Sequence, residues 1–178
     1  DLPLSLDDLK IRQADEDRLK ALYARLQFKT WLSELGGIED QLTADAVYET
    51  ILDQPALDSW LKKITKQGIF AFDTETTDLD AMQAEIVGLS FAVESGKAAY
   101  LPLAHDYPGA PEQLDRSQVL QQMKPLLESE EIKKVGQNLK YDMKVLANYD
   151  IALNGVEHDT MLESYVLDST ASRHDMDT

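Results

Sequence analysis

The stretch Gly68-Ile69-Phe70-Ala71-Phe72-Asp73-Thr74-Glu75-Thr76-Thr77-Asp78-Leu79-Asp80 is the one around which the rest of the chain is arranged. Four consecutive apolar residues, Ile69 to Phe72, make the short run expected of a strand buried on both faces, and it ends abruptly in Asp73 and Glu75. Side chains alternate along a strand, so these two acids, two positions apart, point the same way. Paired carboxylates at the mouth of a buried strand repel one another and desolvate poorly unless a cation lies between them. A hard divalent ion, Mg2+ or Mn2+, suits such oxygens. The plainer alternative is two acids in a loop just past a strand end, and their spacing alone does not separate the two readings.

With 178 residues the chain has room for one ordinary domain plus an appendage. A composition of 43% hydrophobic and 28% charged residues reads as soluble and globular. No apolar stretch is long enough to cross a membrane, and the start Asp1-Leu2-Pro3-Leu4-Ser5 lacks the basic and apolar regions of a signal peptide. Without an initiating Met the chain is expected to begin inside a longer protein. The absence of cysteine excludes disulfides, thiolate metal sites and a Cys nucleophile, and it fits a cytoplasmic location. The net charge of −16, from 33 acids against 17 Lys and Arg, opposes any nucleic-acid reading, because such affinity rests largely on cations at phosphates. Either the substrate is not a nucleic acid, or bound metal and a basic neighbouring domain supply the positive field.

Along the chain, Leu19, Leu22, Tyr23 and Leu26 recur at helical spacing after acidic Asp15-Glu16-Asp17, predicting one helix near 15 to 34 ended by Gly36-Gly37. Residues 36 to 45 read as a linker. Val47 to Leu52 suggests a short strand, and Leu57, Trp60, Leu61 and Ile64 form a helical stripe behind Pro55. Strands over 68 to 75, 85 to 93 and 98 to 103, joined by short connections, predict an antiparallel meander. Val119, Leu120, Met123 and Leu127 follow helical spacing, with Pro125 predicting a kink or restart. A strand over 132 to 135, a helix over 138 to 148, a short strand over 156 to 158 and a last helix to about 168 complete the pattern. Thr160 and Glu163 read as its capping box. The fold class is α/β, a mixed sheet with an antiparallel meander followed by parallel strands, flanked by helices.

The second informative stretch is Val135-Gly136-Gln137-Asn138-Leu139-Lys140-Tyr141-Asp142. On a helix Asn138 and Asp142 share a face, with Leu139, Met143 and Leu146 as the adjacent apolar stripe, which puts Asp142 at the border between core and cleft. An isolated Asp at a helix boundary is ordinarily solvated. His105, His158 and His174 stand singly and read as structural, Asp159 as a helix N-cap, and Asp78 and Asp80 as solvated loop acids.

Together, Phe72-Asp73-Thr74-Glu75-Thr76, His105-Asp106-Tyr107, Val135 to Asp142, Asp159-Thr160-Met161-Leu162 and Arg173-His174-Asp175-Met176-Asp177 resemble the proofreading 3′–5′ exonuclease domains of bacterial polymerase I enzymes. These belong to the ribonuclease H-like superfamily of four-acid exonucleases. The likeness runs from about Val47 to Thr178, while residues 1 to 37, with Phe28-Lys29-Thr30-Trp31, resemble the end of a preceding 5′ nuclease domain, a helical connector ahead of an exonuclease domain over 38–178. The resemblance implies that Asp73, Glu75 and Asp142 are catalytic metal ligands. It implies that Thr76, Leu79, Gln137, Asn138 and Tyr141 line the single-strand site, Leu79 wedging beside the terminal base. It implies two divalent ions, Mg2+ or Mn2+ with Zn2+ an alternative at one position, acting on the 3′ end of single-stranded DNA, and a polymerase domain in the same parent, a monomer away from membranes. The physical logic agrees: two ions roughly 4 Å apart activate a water and stabilise a leaving oxygen.

The departure from the family is at its close. The Tyr-x-x-x-Asp motif of these sites does not follow Asp142: Tyr165 is followed four positions later by Ser169, and Asp168 is one residue short. In the family that motif lies several tens of residues beyond the Arg-His-Asp-Met-Asp stretch. The domain is therefore expected to be truncated at its C-terminus and weakly active or inactive in isolation. The alternatives are a non-catalytic scaffold domain of a polymerase and an RNA-trimming exonuclease of the same superfamily.

Overall fold

The computed structural model describes residues 14–35, 46–170 and 174. The chain divides into two compact units, Asp1–Ala44 and Asp45–Thr178. In the first, helix α1 spans Glu16–Arg25 and α2 spans Lys29–Glu34. The Asp15 carboxylate accepts from the Arg18 amide at 3.0 Å, and Glu16 and Asp17 place negative charge at the positive end of the helix dipole. The single helix expected over 15 to 34 is broken, because Gln27 adopts left-handed backbone, with φ 58°, and turns the chain. Tyr23, Phe28 and Trp31 gather around that turn with ring centroids 5.0 to 6.2 Å apart, a packing that a continuous helix would not give. The linker read over 36 to 45 lies outside the described residues.

The second unit holds strands β1 (Val47–Thr50), β2 (Ile69–Thr76), β3 (Ile86–Glu94), β4 (Lys97–Pro102), β5 (Lys133–Gly136) and β6 (Val156–Asp159). They form one six-stranded sheet in the order β1-β4-β3-β2-β5-β6. The pairs β2–β3 and β3–β4 are antiparallel, whereas β1–β4, β2–β5 and β5–β6 are parallel. This is the mixed sheet expected from the sequence, with the acid-bearing strand β2 near its middle.

Helix α3 (Gln54–Gln67) is capped by Asp53, which accepts from Ala56 N at 2.9 Å, has Pro55 in its first turn, and ends at left-handed Gly68. It buries Leu57, Trp60 and Ile64. Helix α4 (Arg116–Leu127) buries Val119, Leu120, Met123 and Leu127. It runs through Pro125 as one helix, without the predicted restart, because the proline falls in the last turn and Glu128 N still reaches Lys124 O at 2.9 Å. Helix α5 (Leu139–Ala147) buries Leu139, Asp142, Val145 and Leu146. Met143, read as part of the stripe, is 43% exposed, and Val145 takes its place in the core. Asn138 precedes α5 in left-handed backbone, with φ 56°, so it does not share a helical face with Asp142 as expected. Helix α6 (Thr160–Leu167) is capped by Asp159, which accepts from Met161 N and Leu162 N, rather than by the predicted Thr160–Glu163 box. Among the described residues no helix is long and apolar enough to cross a membrane.

Strand β2 is buried on one face, not two. Phe70, Phe72 and Thr74 join Leu89 and Phe91 of β3 in the core with the helices, while Ala71 and Glu75 are exposed. Ala71, Ala92 and Ala98 make the second face small as well as apolar, so the run Ile69–Phe72 suggests two-sided burial by composition although only its phenylalanine face packs.

Candidate active site

Alternation along β2 sets Asp73 and Glu75 on the open face, where the register puts Ser90 and Gly88 of β3 directly opposite them. Between the two acids, Thr74 points into the core and meets Asp142. The Asp142 Oδ1 accepts from Thr74 N at 3.0 Å and from Thr74 Oγ1 at 2.6 Å, and the residue is 1% exposed. The expected position at the border of core and cleft is thus corrected inward: α5 presses this carboxylate against the strand backbone.

Asp73 is held above the usual carboxylate range first by burial and then by the neighbouring Glu75 charge. Burial pushes Asp142 up to about 6, against the lowering effect of its Thr74 bonds, and the Asp73 charge adds to the rise. The Glu75 charge thus acts on Asp73, and the Asp73 charge on Asp142. Among the described residues no three of His, Cys, Asp and Glu are grouped so as to hold a metal ion, since Asp142 is set back on Thr74 while Glu75 faces solvent. The donor chemistry nonetheless suits a hard cation: all three ligands are carboxylates, and Thr74 occupies only Oδ1 of Asp142.

Leu79, Asn138 and Tyr141 come together in a groove of about 270 Å³ shared with Asp80, Ala81, Met82, Lys140 and Lys144. Leu79 is 95% exposed. Thr76 Oγ1 and Tyr141 Oη lie 2.5 Å apart, and both reach the Asp78 carbonyl, which ties the loop after β2 to α5. Gln137 is placed elsewhere. It lines the open-face cleft over Ala71, Asp73 and Ser90, with its side-chain oxygen accepting from Thr160 Oγ1 and its nitrogen donating to His174 O.

Asp159 carries more than the cap expected of it. Besides α6, its carboxylate accepts from Asn138 N at 3.1 Å and Leu139 N at 2.9 Å, so a single side chain closes the N-termini of both α5 and α6. Gly136 is required beside it, because a Cβ there would meet the Phe72 carbonyl at 2.8 Å and Leu139 at 2.5 Å.

Sequence reasoning missed Tyr100. On β4 it faces Ser90 in register, and its ring lies over Gly88, where an added Cβ would sit 2.1 Å from the hydroxyl. The phenol is held by His105 Nε2 at 2.5 Å, and burial together with the Glu75 charge raises its pKa. The one sequence signal was the family-like His105-Asp106-Tyr107; the approach of Tyr100 to Glu75 depends on cross-strand pairing. His158 is bonded to Glu163 at 2.6 Å, and the His105 backbone is held by the Gln113 side chain.

The family model described as 3′-5′ exonuclease matches residues 48–178. DNA polymerase I of Pseudomonas aeruginosa is 52% identical over all of this chain, and that of Rhizobium leguminosarum is 44% identical over 74% of it. The chain spans 21% and 15% of the lengths of those two relatives. Among solved structures, Brucella melitensis NrnC bound to pGG aligns with a TM-score of 0.54 at 20% identity, covering 74% of this chain and 57% of that one. Trypanosoma brucei RNase D aligns with a TM-score of 0.54 at 18% identity, covering 76% and 50%. These structural likenesses show the ribonuclease H-like fold. With the family match and the sequence identities added to the fold, the chain belongs to the 3′-5′ exonuclease family.

Proposed function

We propose that the chain is the proofreading segment of a DNA polymerase I, hydrolysing the 3′-terminal phosphodiester of DNA to remove mismatched nucleotides during replication and repair. The observation that carries this reading is the pair Asp73 and Glu75 on the open face of β2, with Asp142 bonded from the core side to Thr74 between them. Asp73, Glu75 and Asp142 would hold two divalent cations, Mg2+ or Mn2+ with Zn2+ an alternative at one position. Such ions supply an activated water and stabilise the leaving 3′ oxygen.

The remaining steps fall to side chains. Glu75, exposed on the open face, orients the attacking water and accepts its proton. Thr74 holds Asp142 in place, and Leu79, Asn138 and Tyr141 receive the terminal nucleotide with Thr76 fixing Tyr141. Gln137 acts from the Asp73 side of the strand rather than from that groove. Asp142, buried and raised beside Asp73, supports an enzyme over a scaffold, which would gain nothing from keeping that acid in the core. Residues 1–37 serve as the connector from a 5′ nuclease domain and 38–178 as the exonuclease domain. The parent carries its polymerase domain in the same chain and works in the cytoplasm as a monomer.

The test is release of the terminal nucleotide from 3′-labelled single-stranded DNA, with a matched RNA in parallel. Slow release is expected, because Asp142 is set back on Thr74 while Asp73 and Glu75 stand on the open face. It should require Mg2+ or Mn2+, disappear in Asp73→Ala, and favour DNA. Release that survives Asp73→Ala, or that is undiminished when the divalent ions are chelated, would overturn the reading; preference for RNA would transfer it to RNA trimming.

A further inference from the structure

Glu75 is the least supported of the three acids. Asp142 is bonded twice to Thr74 and Asp73 is half-buried, whereas the Glu75 carboxylate is exposed and makes no hydrogen bond or ion pair among the described residues. A bulge follows it, the β2–β3 register shifting between Glu75 and Thr76, which re-aims the side chains at this end of the strand. A glutamate free to change rotamer holds the one geometry that orients a water only part of the time.

A phenol stands beside it. Cross-strand partners share a face, so Asp73, Ser90 and Tyr100 form one row on the open side, and Glu75 and Gly88 the next. The Tyr100 ring leaves its own row and leans across Gly88, its hydroxyl 2.1 Å from the position a Cβ would take there. Cβ positions of direct partners are about 4.5–5.5 Å apart, which sets this hydroxyl within about 8 Å of the Glu75 Cβ, a span that the glutamate side chain and one bridging water cover. The Glu75 charge is accordingly felt at the phenol, after burial the second cause of its raised pKa. The other side of the hydroxyl is fixed. His105 Nε2 lies 2.5 Å from it, the imidazole is flanked by the Tyr100 and Tyr107 rings at 5.8 Å each, and the Gln113 side chain bonds both N and O of His105. A tyrosine that served packing alone would use only its ring; this one has its hydroxyl clamped from the His105 side and open toward Glu75.

We propose that Tyr100, held by His105, is a positioning residue for Glu75. His105 Nε2–H donates to the phenol oxygen, and the phenol O–H donates to one Glu75 oxygen, directly or through one water, leaving the other oxygen for the attacking water. The direction follows from the donor inventory: a carboxylate only accepts, so the single phenol proton goes to it and the imidazole donates. The proposal rests on the exonuclease reading, which gives Glu75 its task but assigns nothing to Tyr100 or His105.

The test has two readouts on the full chain. In nucleotide release from 3′-labelled single-stranded DNA with Mg2+, Y100F keeps the ring over Gly88 and loses the hydroxyl; kcat should fall about tenfold, the worth of one hydrogen bond to a charged group, with KM unaltered. H105L should match that fall, and H105Q, whose amide donates from the place of Nε2, should recover most of it. Y48F, the same deletion on an exposed tyrosine of β1, should change neither constant. Independently of activity, the nitrogen NMR spectrum of the His105 ring at about pH 8, where imidazole is neutral, should show the proton on Nε2, which decides the question even where release is too slow to resolve. A proton on Nδ1, a parental kcat in Y100F, or a loss confined to KM overturns this proposal and leaves the exonuclease reading standing. Release that persists in chelator overturns both.

Discussion

Replacing Asp142 by Asn should stabilise the fold while removing its activity. The substitution deletes a charge from a residue that is 1% exposed and keeps an oxygen able to accept from Thr74 N and Oγ1. Burial and the Asp73 charge raise the carboxyl from 3.8 to about 6. At 1.36 kcal/mol per pKa unit, this is an upper bound of roughly 3 kcal/mol carried by the ionised form. An amide NH2 in place of the second oxygen costs about 1 kcal/mol if it finds no acceptor, leaving a net gain of roughly 1–2 kcal/mol at pH 7. The sign follows from proton binding. The folded pKa lies above the unfolded one, so the folded state binds more protons between about pH 4 and 6 and the parent loses stability as pH rises through that window. Urea denaturation with chelator at pH 4 and pH 7 measures both limbs. D142N should be the more stable protein at pH 7, with its advantage gone at pH 4, and Mg2+ should stabilise the parent but not the variant. A variant weaker than the parent at pH 7, or an advantage equal at both pH values, would refute the argument that Asp142 is a strained charge.

Three further outcomes follow from other contacts. Lys134 is fully buried, donates to Ser129 O and Ile132 O, and is lowered by burial to about 8; stability should therefore rise with pH between about 8 and 10.5, and urea midpoints for Lys134→Met should lose that rise. Gly88→Ala should cost about 1–3 kcal/mol in urea denaturation and change the near-ultraviolet tyrosine signal, because its Cβ would displace the Tyr100 ring from His105. Asp159→Ala removes the acceptor for four backbone N–H groups and should cost roughly 2–3 kcal/mol, more than the usual cap at about 1, with Asp159→Asn recovering part of the loss in the same assay.

Much of the architecture was legible because its signals are local. Pro55 near the start of α3, the stripe Leu57-Trp60-Ile64 and the apolar run before Asp73 each show within a few neighbours. Where reading failed, a distant contact competed with a local preference. The aromatic cluster at Tyr23, Phe28 and Trp31 accompanies a break in a helix that periodicity had joined. The apolar run of β2 conceals an open face, since an alanine is small enough to be exposed without penalty and still count as hydrophobic.

At the site, sequence alone was enough to put Asp73 and Glu75 on one face of a strand, because strand alternation is a property of adjacent positions. Folding settled the rest. It pressed Asp142 against Thr74, separated Gln137 from its neighbour Asn138 into a different cleft, brought Tyr100 over Gly88 opposite Glu75, and let Asp159 close two helices. Each of these depends on strand order and on the docking of α5, pairings between residues far apart in the chain that no local pattern encodes.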